Sequence, residues 1–159
     1  MEIERKYLIE KYTFDPDQYD SEEISQAYLS TDPVIRVRER CRHTDSGDQL
    51  SYELTVKGRG LMAREEINLV IDQDAYTRLA AKAEGHAVEK TRYRIPLSGS
   101  LICELDVFKG GLNGLILGEV EFDSEEAAEL FTPPDWFGAE VTFDPSYQNC
   151  NLIMKGELS

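Results

Sequence analysis

Histidine, cysteine and tryptophan are scarce in this 159-residue chain, which has two, three and one of them. Cys41, Cys103 and Cys150 are odd in number, widely spaced and without a Cys-x-x-Cys pair, which argues against both a disulfide framework and a thiolate zinc site. His43 and His86 each lie in a polar stretch with no second histidine at ligand spacing, and both read as surface residues. No run approaches the roughly 20 apolar residues of a membrane span, and no charged-then-apolar signal segment precedes Glu2. A reducing, cytoplasmic home is the expectation.

Positive charge is also short: 17 basic residues stand against 31 acidic ones, for a net charge of -14. Such a field repels polyanions, so neither nucleic acid nor an anionic membrane is an expected partner. A small anionic ligand would need a local gathering of the basic residues. Length suits one domain, 1–159, with no internal repeat, linker or low-complexity tract.

What the chain does have is alternation with period two, in eight segments. Glu2, Glu4 and Lys6 share one strand face, with Ile3 and Tyr7 on the other. Arg36, Arg38 and Arg40 oppose Ile35 and Val37; Ser51, Glu53, Thr55 and Lys57 oppose Leu50, Tyr52, Leu54 and Val56. Arg64, Glu66 and Asn68 oppose Ile67, Leu69 and Ile71, although Glu65 breaks the apolar side. Lys90, Arg92 and Arg94 oppose Tyr93 and Ile95; Glu104 and Asp106 oppose Cys103, Leu105 and Val107; Glu119 and Glu121 oppose Ile116, Val120 and Phe122. A short strand around Ile24 to Ser30, carrying Gln26 and Tyr28 on one parity, completes the set.

Helices are fewer. Asp72 to Glu84 has a capping Asp and ends at Gly85, a short helix follows Ser124, and a last one runs from Asp144 and Pro145 to Met154. Trp136 reads as packing a helix on the barrel wall, and Gly58-Arg59-Gly60 and Gly110-Gly111 as turns rather than phosphate loops.

Eight amphipathic strands invite closure, because a closed antiparallel barrel has no unpaired edge. The predicted class is mainly β (α+β): a closed eight-stranded antiparallel barrel with a few outer helices. Apolar faces turned inward would leave an ordinary solvated exterior; turned outward, they would need helices to cover them and would leave a charged lumen. Composition favours the first arrangement. The sorting of charge favours the second, since basic sets (Arg36 and Arg38, Lys57, Arg64, Lys90 and Arg92) and acidic sets (Glu2 and Glu4, Glu104 and Asp106, Glu119 and Glu121) sit on different strands. Two unit charges 4 Å apart repel by about 4 kcal/mol at an effective dielectric of 20, so converging carboxylates must protonate or hold cations. Oxygen-only donors suit Mg2+ or Mn2+, and facing guanidinium and ammonium groups suit phosphate.

These segments resemble the CYTH, or triphosphate tunnel metalloenzyme, family over essentially the whole length. The resemblance rests on Glu2-Ile3-Glu4-Arg5-Lys6, Ile35-Arg36-Val37-Arg38, Leu54-Thr55-Val56-Lys57-Gly58, Lys90-Thr91-Arg92-Tyr93, Glu104-Leu105-Asp106-Val107-Phe108, Gly118-Glu119-Val120-Glu121 and the closing Trp136-Phe137-Gly138, Glu140-Val141-Thr142 and Tyr147-Gln148-Asn149. Asn68 departs from the pattern, standing where the usual alternation places a second acid.

The resemblance implies a tunnel with a polar lumen, Mg2+ or Mn2+, and a small-molecule triphosphate as substrate. Carried over by position, Glu2, Glu4, Glu119 and Glu121 would hold the metal, with Asp106 and Glu104 as further candidate ligands. Lys6, Arg36, Arg38, Lys57, Arg64, Lys90 and Arg92 would grip the triphosphate, and Glu2, Glu4 and Lys6 would take part in catalysis. The leading expectation is metal-dependent hydrolysis of inorganic tripolyphosphate. The alternatives are an adenylate cyclase or thiamine triphosphatase of the same family, or a tunnel that binds polyphosphate or nucleotide without turnover. Tyr28 and Lys155 could reach the tunnel, and outer apolar faces covered by so few helices could pair two copies as a homodimer.

Overall fold

The computed structural model describes residues 1–152. It contains β1 (Glu2–Leu8), β2 (Ser21–Thr31), β3 (Val34–Thr44), β4 (Gly47–Lys57), β5 (Ala63–Arg64), β6 (Glu66–Ile71), β7 (Glu84–Pro96), β8 (Ile102–Phe108) and β9 (Ile116–Glu121), with helices α1 (Gln73–Ala80), α2 (Glu125–Leu130) and α3 (Asn149–Leu152). All strand pairs are antiparallel, in the order β5-β1-β9-β8-β7-β2-β3-β4-β6.

The strands at the two ends of that order are almost one strand. Only Glu65 separates β5 from β6, and the chain changes neighbours there: Glu2 and Ile3 pair with Arg64 and Ala63, whereas β6 pairs with β4 from Lys57 opposite Glu66 to Tyr52 opposite Ile71. The expectation of eight strands in a fully closed barrel is therefore corrected to nine strands in a nearly closed one. Glu65 breaks the alternation where the stave leaves β4 for β1, and its carbonyl still accepts a 2.9 Å hydrogen bond from Gly58 N–H.

Beyond β5, the free edge of β1 is taken up by residues 138–142. Gly138 N–H and Val141 N–H donate to Leu8 and Lys6 carbonyls at 2.8 Å, and Lys6 N–H donates to Thr142 Oγ1 at 2.9 Å. A Cβ at Gly138 would sit 2.6 Å from the Leu8 carbonyl oxygen, so glycine is required for this approach. The segment fixes β1, and with it Lys6.

Apolar parity faces outward under cover, as the sorting of charge predicts. Ile3, Tyr7, Ile95, Leu105, Val120 and Phe122 form a buried cluster outside β1, β9, β8 and β7, overlaid by Phe131, Trp136 and Phe137. Trp136 packs edge-to-face on Phe14 and Phe137, with centroids 5.0 and 4.6 Å apart. A second cluster, including Tyr28, Val88, Phe108, Leu117, Cys150 and Leu152, joins the barrel to the C-terminal segment. On the β4–β6 side the outer residues Leu50, Ile67 and Leu69 remain exposed.

The helices are shorter than their patterns suggest. Asp72 caps α1 by accepting from Ala75 N–H at 2.8 Å, but the helix stops at Ala80 and β7 begins by Glu84. The last helix is not continuous from Asp144. A 3-10 turn at Pro145–Tyr147 ends at Gln148, whose extended backbone (φ -70°, ψ 137°) separates it from α3. Met154 and Lys155 lie outside the described residues. No helix among the described residues is long and apolar enough to cross a membrane.

Candidate active site

The polar parities of the strands converge on a lumen of about 230 Å³. Nine of the chain's 17 basic residues line it, against only seven of its 31 acidic ones, so the lumen carries an excess of positive charge inside a protein of net charge -14. That is the local exception an anionic ligand requires.

Glu2, Glu4, Lys6, Arg36, Arg38, Lys57, Arg64, Lys90, Arg92, Glu104, Glu119 and Glu121 all line this space. Asp106 does not. It is fully buried behind the lumen wall, accepting from Lys90 Nζ at 2.7 Å and from Arg92 Nε and Nη2 at 2.8 and 2.9 Å. Asp106, expected as a candidate metal ligand, is thus set apart from the lumen carboxylates: its oxygens pair with two cations, and it anchors them from behind.

The two basic walls differ in how their charge is balanced. On β7, Arg92 faces Asp106, Glu104 at 3.0 Å and Glu119 at 3.7 Å, and its pKa is raised well above the ordinary value because these acids overcome burial. On β3, Arg36 is buried and makes no ion pair among the described residues; its Nη2 donates to Thr55 Oγ1 at 3.2 Å and its Nε has no partner. Arg38 donates to Gln26 Oε1 at 2.9 Å and, among the described residues, forms an ion pair only with Glu53, at 3.6 Å. Burial and the neighbouring Arg36, Arg92 and Arg40 push Arg38 down to about 9. Burial likewise pushes Lys90 down to about 7, against the pull of Asp106. Lys90 keeps its partner Asp106 on the β7 side, whereas the β3 part of the lumen is short of negative charge.

The acidic groups lie across β1, β9 and β8. Register places Glu4 opposite Glu121 and Glu104 opposite Glu119, and like charges directly opposite each other destabilise a sheet. Burial, Glu119 and Glu2 raise Glu4 to about 8, and burial, Glu2 and Glu104 raise Glu121. Glu2 is also raised, mainly by burial, while Lys57 and Arg64 hold it at 3.0 and 3.4 Å. Glu119 is instead held well below its ordinary value, because Lys6 (3.6 Å), Arg92, Lys90 and Lys57 outweigh burial. An all-oxygen set with opposed, reluctantly ionised carboxylates fits a hard divalent cation.

Sequence reasoning passed over several lining residues. Arg40, Glu53 and Arg94 share lumen parity with chosen neighbours and extend the site toward one mouth. Asn68 donates to Glu66 Oε1 at 2.7 Å and accepts from Thr55 Oγ1 at 2.6 Å, which links it to Arg36 through Thr55. Burial raises Glu66, but hydrogen bonds from Glu2 and Asn68 and the charge of Lys57 hold it down to about 2. Gln148, Asn149 and Cys150 enter from the C-terminal segment, where Asn149 Oδ1 accepts from Lys90 Nζ at 3.0 Å and the Tyr147 carbonyl accepts from Lys6 Nζ at 3.2 Å. No strand periodicity announces these residues.

Among known proteins, this chain is 42% identical over 153 residues to an inorganic triphosphatase of Nitrosomonas europaea, spanning 96% of this chain and 97% of that protein. The chain belongs to the inorganic triphosphatase family. A second inorganic triphosphatase, from Acetivibrio thermocellus, is 37% identical over 130 residues, covering 80% and 78% of the two chains. A crystal structure of an inorganic triphosphatase superposes with a TM-score of 0.67 at 38% identity, covering 97% of this chain and 95% of that one. A putative adenylyl cyclase from Hippeastrum, described as having a dominant triphosphatase activity, shares the fold with a TM-score of 0.58 at 15% identity. No family model matches the chain. As an inorganic triphosphatase relative, it is a hydrolase whose lumen is the place to look for its chemistry.

Proposed function

We propose that this triphosphatase binds linear inorganic tripolyphosphate in the lumen and, with Mg2+ or Mn2+, hydrolyses it to release phosphate, as a CYTH-type triphosphate tunnel enzyme of the cytoplasm. The observation that carries the substrate class is Arg36: a buried guanidinium with an unpartnered Nε and, among the described residues, no carboxylate at ion-pair distance, only the more distant Glu53 and Glu66, beside a second arginine that shares its surplus charge. Leaving such a charge uncompensated in a protein interior is costly, and a polyanion relieves it.

Arg36 and Arg38 present planar donor forks suited to non-bridging phosphate oxygens, while Lys6 and Lys57 act as point charges. Asp106 holds Lys90 and Arg92 in place from behind, so these cations are oriented before substrate arrives. Glu2, Glu4, Glu119 and Glu121 would hold the divalent cation, which when bound would neutralise phosphate oxygens and lower the pKa of a water for attack on the terminal phosphorus. Lys57 and Lys6 release Glu2 and Glu119 as they turn to the phosphates. Chain groups therefore mainly position and neutralise charge.

The lumen lining also bears on the substrate. Tyr28 is its only aromatic residue among the described ones, and it is 1% exposed, so no ring is offered for stacking a nucleobase or a thiamine ring. That favours tripolyphosphate over ATP or thiamine triphosphate. Steady-state phosphate release from the three compounds, with a parallel assay for cyclic AMP, tests the reading. Fastest release from tripolyphosphate, abolished in Glu119→Gln and weakened in Lys57→Ala, is the expected result. Folded protein that releases no phosphate from tripolyphosphate with either metal would sink it.

A further inference from the structure

Outside the lumen, the β3–β4 hairpin carries a cluster of different chemistry. Cys41 and His43 are two apart on β3 and therefore share a face, and the register sets His43 opposite Asp48 on β4. Both Arg40 and Arg42 have the opposite parity, so this face is the outer one. His43 Nδ1 lies 2.6 Å from Asp48 Oδ1. Among the described residues, Cys41, His43 and Asp48 form the one group of three His, Cys or carboxylate side chains whose ligand atoms all lie within 4.8 Å of one another. The lumen carboxylates are not gathered in this way, because Lys6 and Lys57 stand between them.

We propose that this hairpin is a second metal site, selective for Zn2+ and independent of the lumen. A sulfur, a nitrogen and a carboxylate oxygen form a borderline-soft donor set of the kind that favours Zn2+ over Mg2+, whereas the all-oxygen lumen set favours the reverse. Tetrahedral Zn2+ with bonds of roughly 2.0 to 2.3 Å needs its donors closer than 4.8 Å but further apart than a hydrogen bond. The ion takes the place of the proton shared by His43 and Asp48, and those side chains move apart by less than one bond length. Binding also releases the Cys41 thiol proton to solvent, since the thiolate is the ligand. His43 and Asp48 are exposed, which leaves the fourth position open to water. Neighbouring Glu39 and Glu23 add negative charge around Cys41 without being required as ligands. The bound ion ties β3 to β4 beside the Thr44 to Gly47 turn and reaches neither Arg36 nor the acidic wall.

Co2+ is the probe, added to the full chain in the presence of excess Mg2+ so that the lumen carboxylates are occupied. One equivalent is expected to give a sulfur-to-cobalt charge-transfer band in the near ultraviolet, and stoichiometric Zn2+ is expected to abolish it. The band should be lost in Cys41→Ser and reduced at least about tenfold in apparent affinity in His43→Ala, and kept in Cys150→Ser, which removes the cysteine facing the lumen. Tripolyphosphate hydrolysis should persist in the two hairpin variants, which also reports that they fold. Absence of the band in wild type, or a band of full intensity in Cys41→Ser, overturns the proposal and leaves an ordinary histidine–aspartate pair on a hairpin.

Discussion

Two stretches of the lumen wall use the same residue types to opposite ends. On β7 and β8, Arg92 and Lys90 close on Asp106 at 2.7 to 2.9 Å, forming a complete charge set that is buried with the fold. On β3, Arg36 has a threonine hydroxyl at 3.2 Å and, among the described residues, no acid at ion-pair distance. The first arrangement is balanced in the free protein, so it contributes rigidity. The second is balanced only when an anion enters, so it contributes affinity. Basic residues at equivalent strand parity are therefore not equivalent in function, and the difference lies in what the neighbouring strand places behind them.

The largest expected effect breaks the balanced wall. Asp106→Asn leaves Lys90 and Arg92 buried with too little counter-charge, and the usual cost of removing one partner from such a set is about 3–5 kcal/mol. Urea unfolding should show that loss; a change below about 1 kcal/mol would mean that the pairing does not hold the wall.

Parity made much of this readable in advance. Every lumen strand could be assigned a polar and an apolar face from sequence, and the separation of basic from acidic strands pointed to an inward polar face. Depth along that inward direction is a different matter. Asp106 and Glu104 alternate alike in sequence, yet only Glu104 lines the cavity, because side-chain length and the reach of Lys90 decide which carboxylate is overlaid. Gln148 and Asn149 were unreadable as wall residues, since no strand alternation carries them: Gln148 follows a 3-10 turn and Asn149 opens α3. The Cys41–His43–Asp48 group was hidden because it depends on cross-strand register, which His43 considered alone does not reveal.

A second, smaller effect concerns the acidic side of the comparison. Glu4 is raised from 4.5 to about 8 by burial, Glu119 and Glu2, so the folded state holds a proton that the unfolded chain would release. Its contribution to stability is full below pH 4.5 and is lost as pH rises through about 8. A divalent cation that replaces the proton offsets that loss. The rise in Tm on adding Mg2+ should therefore be larger at pH 8.5 than at pH 6, and chelation should reverse it; equal rises at both would disconnect Glu4 from the metal.

Thr55→Val sharpens the contrast further. It removes the hydrogen bond from Arg36 Nη2 to Thr55 Oγ1 and leaves the contact with Tyr28, and a net loss of about 1 kcal/mol corresponds to roughly fivefold in kcat/KM for tripolyphosphate. Unchanged kinetics would show that Arg36 needs no such support. The smallest effect is expected outside the lumen lining, where exposed Arg59 pairs with exposed Asp32 at 3.2 Å. Arg59→Ala should leave stability unchanged and alter kcat/KM less than about twofold.

The central claim is that the unbalanced β3 wall is the triphosphate site. Calorimetric titration of tripolyphosphate into chelator-treated protein, where turnover cannot intervene, addresses it directly. Wild type should bind one equivalent, and Arg36→Ala should bind at least about tenfold more weakly while unfolding at an unchanged or higher temperature. Equal affinity in wild type and Arg36→Ala would contradict the account.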